Sequence, residues 1–86
     1  MHTKKQHIRN VLNHLVDKRF TSLNFIVAYL GGHFPQYKIS ANKVKVRDLL
    51  DEEDYRIDVI IGNYVGSIWY IKTRQRYFYI TETMLD

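Results

Sequence analysis

Four basic side chains, Lys38, Lys43, Lys45 and Arg47, stand in "KISANKVKVRDLLDEED" (residues 38–54) before the first carboxylate. Lysine ammonium and arginine guanidinium groups at this density suit phosphate contact, and an arginine can also bind a guanine edge. Asn42 beside them could pair with adenine, and Ala41 could touch a thymine methyl. A second basic group, Lys72, Arg74 and Arg76, lies about thirty residues on and could follow a nucleic-acid backbone. The same stretch ends on Asp51, Glu52, Glu53 and Asp54, which would repel phosphates and suit a basic protein partner. The spacing therefore carries two readings of one segment.

Aromatic residues form the other chemical resource. Tyr55, Tyr64, Trp69, Tyr70, Tyr77, Phe78 and Tyr79 fall within 25 residues. Exposed on a sheet, such rings could stack on unpaired bases. About half of them must instead point into the core, because aromatics favour strands. Tyr70, Tyr77 and Tyr79 also fit a tyrosine-rich protein-binding surface.

Catalytic and metal chemistry is not expected. The histidines, His2, His7, His14 and His33, show no His-x-x-His or His-x-x-x-His spacing. His7 and His14 share a helix side but would stand about 10 Å apart. Ser22, Ser40 and Ser67 read as two helix caps and a strand residue, with no nucleophile elbow or phosphate loop. No catalytic residue, metal ligand, cofactor or small-molecule substrate is expected.

The elements that must position these residues follow from periodicity. Thr3 and Gln6 match a capping box. Ile8, Val11, Leu12, Leu15 and Val16 then form an apolar stripe, predicting a helix over about 4–18. "RFTS" is a brief strand or a plain connector. Thr21 or Ser22 caps a second helix with Leu23, Ile26, Val27 and Leu30 inward, ended by Gly31-Gly32 before Pro35. Ser40 reads as the cap of a third helix over 41–50. Ile39 and Val44 form its staple, and Val46, Leu49 and Leu50 face the core.

After residue 54 the period becomes two. "YRIDVIIG" and "SIWYIKT" predict two strands joined at Gly62-Asn63 or by the longer loop "GNYVG". "RYFYITE" predicts a third strand.

The 86 residues make one domain, 1–86, with 45% apolar residues and no cysteine. No apolar run reaches membrane-spanning length, and the basic N-terminus lacks a signal-peptide core. A soluble, cytoplasmic protein without membrane contact is the expectation. The net charge is +4, yet residues 48–58 carry −5 and the remainder +9. A basic body with one acidic segment attracts polyanions wherever that segment faces away.

Helix, short extended piece, helix, helix, hairpin is the order of the winged helix-turn-helix domain. The chain resembles that family over about residues 3–73, through "FTSLNFIVAYL" followed by "SANKVKVRDLL". The resemblance implies an α+β fold: a three-helix winged-helix-like domain with a C-terminal antiparallel hairpin or three-stranded sheet. It makes 41–50 the recognition helix and 55–73 the wing. It further implies a small transcriptional regulator that binds duplex DNA. The alternative is a protein-interaction module, such as an inhibitor or adaptor of the kind found in phages. That module would use the acidic 48–58 segment and the aromatic strands, with a protein partner or a second copy.

Overall fold

The computed structural model describes residues 4–45, 54–72 and 75–86. Among them are two helices, α1 (Lys4–Asn13) and α2 (Leu23–His33), and five strands. The strands are β1 (Arg19–Phe20), β2 (Ile39–Lys45), β3 (Asp54–Ile61), β4 (Tyr64–Lys72) and β5 (Phe78–Leu85). They form one antiparallel sheet in the order β1-β5-β4-β3-β2. Four strands are thus a meander, and the two-residue β1 closes the far edge against β5.

This corrects the three-helix winged-helix-like fold. Residues 41–45, expected to open a recognition helix, are strand and pair with β3 from Ala41↔Val59 to Lys45↔Tyr55. Residues 46–50, the rest of that expected helix, lie outside the described residues. The physical reason is local. "SANKVK" has Ser, Asn and Val, weak helix formers, and its neighbour β3 offers a full ladder of backbone hydrogen bonds.

Both helices lie on one face of the sheet, the face that carries its buried apolar side chains. Ile57, Val59 and Ile61 from β3, Ile68 and Tyr70 from β4, and Ile80 and Leu85 from β5 are buried there. They meet Ile8, Val11 and Leu12 of α1, Leu15 just after it, and Ile26 and Leu30 of α2. Gly66 lets α1 come close: a Cβ there would stand 3.2 Å from Leu12 Cδ1 and 3.1 Å from the Met84 carbonyl oxygen.

Three boundaries differ from expectation. The first helix stops at Asn13, and the chain turns through Asp17, whose φ is 70°. The second helix runs through Gly31 and Gly32 and ends at His33. Neither glycine has positive φ. Pro35 instead sets the end, by disfavouring helical geometry at Phe34 (φ −129°, ψ 63°). The last strand extends to Leu85, through a register shift at Trp69/Tyr70.

The β3–β4 turn is the short form, Gly62-Asn63. Gly62 has φ 62° and Asn63 does not have positive φ, the pattern of a type II′ turn.

The molecule measures 43 × 22 × 20 Å. Strands of eight or nine residues reach about 27–30 Å, whereas helices of ten or eleven residues reach only about 15–17 Å. The helices cannot cover the whole inner face. One end of it is left to other side chains.

Candidate ligand site: a cation–aromatic cluster on the inner face

That end of the inner face is floored by three rings from three adjacent strands. Tyr55 of β3 and Tyr70 of β4 are direct cross-strand partners, and their rings stack at 5.3 Å. Phe78 of β5 meets Tyr70 edge-on at 5.1 Å. Tyr70, in the middle, is 2% exposed, while Tyr55 and Phe78 are half-buried. Burial pushes the Tyr70 phenol above its ordinary pKa, so it stays neutral.

Two ammonium groups lie over this floor. Lys72 Nζ sits 4.5 Å from the Tyr55 ring centre, and Lys43 Nζ sits 5.0 Å from that of Phe78. Lys43 occupies an inward position, because its register partner is the buried Ile57. Phe78 is three strands away, about 14 Å across a flat sheet. The contact therefore requires the sheet to curl towards its helix side, as twisted antiparallel sheets do. Both lysines are exposed, and among the described residues neither has a carboxylate in ion-pair range.

The opposite face is electrically different. Arg56 Nε lies 2.8 Å from Asp58 Oδ1. That N–H is not aimed at the oxygen; the directed hydrogen bond runs from Arg56 Nη2 to Asp58 Oδ2 at 3.3 Å. Ser67 donates to the same carboxylate. The face also exposes Ile60 and Val65, cross-strand partners, together with Met84.

The expected site residues are thus distributed by strand alternation. Lys43 stands at an inward register position beside Ile57, whereas Asn42 stands on the outer face opposite Asp58, and the Lys45 backbone pairs with Tyr55. Ala41 is packed against the core and is not free to touch a base. Lys38 precedes β2, at the opposite end of that strand from Lys45, and its carbonyl oxygen accepts from Gly62 N–H. Lys72 belongs to the cluster. Arg76 is exposed in the β4–β5 connection with φ 66°. Arg47, Arg74, Asp51, Glu52 and Glu53 lie outside the described residues, as do the side chains of Lys45 and Asp54.

The proposed tyrosine surface does not assemble. Tyr70 is buried on the inner face, Tyr77 is exposed beside Arg76, and the Tyr79 hydroxyl donates to Asp17 Oδ1 at the β1–β5 edge. Residue types alone place Tyr55 and Phe78 among seven rings that could stack on bases, without singling them out. Their signal is the register: both fall on the side that carries Tyr70, next to inward lysines.

Among the described residues no three His, Asp or Glu side chains gather as a metal site, and no helix is long and apolar enough to cross a membrane. No protein-family model, curated protein or solved structure matches the chain.

Proposed function

We propose that this protein binds nucleic acid through the inner-face cluster, with Lys43 and Lys72 as its phosphate-binding groups. One observation carries this reading: two ammonium groups lie over a shared aromatic floor, at 5.0 and 4.5 Å from its outer rings. Cations held over rings at an exposed site are bound by only about 0.5–1 kcal/mol. A phosphate can therefore recruit them, and a base stacked on the vacated ring contributes about 1–3 kcal/mol. The net charge of +4 favours approach of a polyanion. Whether such binding serves transcriptional regulation belongs to this proposal as well, but no longer through a recognition helix at 41–50.

The test is equilibrium binding of labelled oligonucleotides across a salt series. Native protein should bind with an affinity that falls as salt rises. The double variant Lys43→Gln, Lys72→Gln should bind more weakly and lower the slope of log K against log salt by about 1.4 on a single strand. Native protein without salt-sensitive binding contradicts the reading.

A second reading is a protein partner on the outer face, favoured by Ile60 and Val65, which are 45% and 44% exposed, and by Met84, at 50%. Ile60→Lys with Met84→Lys would abolish capture of such a partner and leave oligonucleotide binding intact.

A further inference from the structure

We infer that the inner-face cluster takes single-stranded nucleic acid in preference to duplex, with Tyr55 and Phe78 each stacking one base. This rests on the nucleic-acid reading above and deepens it. Tyr55 and Phe78 each turn one ring face to a lysine ammonium, and a ring face has one strong partner in nucleic acid: the face of an unpaired base. A duplex keeps its base faces stacked inside and offers only phosphates and groove edges. It could use the two ammonium groups but not the rings.

The geometry of the floor sets the number of bases. Tyr55 and Phe78 stand on β3 and β5, separated by one strand and hence by about 10 Å. Tyr70 between them is buried and holds both rings in place, stacked on one and edge-on to the other. The outer two rings are the half-exposed ones. Each of these two rings carries one lysine ammonium in the free protein. The pairing of one ring with one cation, twice, matches two successive nucleotides, each with a base to stack and a phosphate to neutralise. The curl that brings Lys43 across to Phe78 also makes the site concave, which suits a flexible strand better than a stiff rod. Among the described residues the outer face shows no such pairing, and its Arg56 is committed to Asp58.

The decisive experiment compares a fluorescent oligodeoxythymidine with a hairpin duplex of equal length, by anisotropy at low ionic strength. Native protein should bind the single strand at least about tenfold more tightly. Tyr55→Leu and Phe78→Leu, each checked for native circular dichroism, should each weaken single-strand binding by about tenfold and leave duplex binding unchanged. Tyr55→Trp preserves a stacking face and should retain native affinity, so a loss caused by poor folding is distinguishable from a lost ring. Equal affinity for the two probes overturns this inference while leaving the nucleic-acid reading standing. Single-strand binding unaffected by both leucine variants overturns it equally. Binding of neither probe overturns both.

Discussion

The Lys43 ammonium lies 5.0 Å from the centre of the Phe78 ring, although two strands stand between their own. The contact ties the edge strand β2 to β5 across the curled inner face. A double-mutant cycle between Lys43→Met and Phe78→Leu, read by urea unfolding, should give a coupling of about 0.5–1 kcal/mol. Additive effects would mean that the two sides of the sheet are not joined by this pair.

Gly62 is the position where the fold depends on having no side chain. Its φ is 62°, and a Cβ there would stand 2.7 Å from Tyr37 Cδ1. Gly62→Ala should destabilise the protein by about 1–3 kcal/mol, from left-handed backbone strain and displacement of Tyr37. Gly31→Ala is the control: nothing lies within 4 Å and the backbone is helical, so it should stabilise by about 0.4–1 kcal/mol. Urea midpoints for the two variants should therefore move in opposite directions.

The pattern of Ile8, Leu12, Leu15, Ile26 and Leu30 was legible as two core stripes, and Ile57, Val59 and Ile61 as one strand face. Leu49, expected beside them, lies outside the described residues. What the sequence concealed was β2. Its inward positions run Ile39, Ala41, Lys43, so apolar alternation stops partway along. It stops because the helices cover only part of the inner face, and the uncovered end is lined by lysines and rings. The residues that make the candidate site are thus the ones that hid the strand, and Ser40 ahead of them imitated a helix cap. Edge lysines have a structural use too, since they discourage pairing with another sheet. The glycine pair at 31–32 misled for a simpler reason: glycine permits a helix end without imposing one.

The Tyr79–Asp17 hydrogen bond predicts alkaline sensitivity. The phenol donates to the carboxylate, and the adjacent negative charge further opposes its ionisation, so its pKa is raised above the ordinary tyrosine value of about 10. A group raised in the folded state contributes stability fully below its unfolded pKa and loses it as pH rises through the folded value. The denaturation midpoint should fall as pH climbs above about 10. Tyr79→Phe should show a smaller fall over that window, with lower stability at neutral pH. An identical alkaline profile in both proteins would contradict this role.

The acids at 52–54 lead by sequence directly into Tyr55, a ring of the cluster. Exposed charges act over about 10 Å at 0.1 M salt. Glu52→Gln, Glu53→Gln and Asp54→Asn together should therefore strengthen oligonucleotide binding modestly, by a few-fold, and the gain should shrink as salt rises. Weaker binding after neutralisation would contradict phosphate contact at this end of the sheet.

Nuclear magnetic resonance mapping locates the bound oligonucleotide on the sheet. Uniformly labelled protein is titrated with oligodeoxythymidine, and aromatic, lysine side-chain and backbone shifts are followed together. The largest changes should fall at Lys43, Tyr55, Lys72 and Phe78, with Ile60, Val65 and Met84 on the outer face unmoved. Changes centred on the outer face, or none at saturating oligonucleotide, would contradict binding at the inner-face cluster.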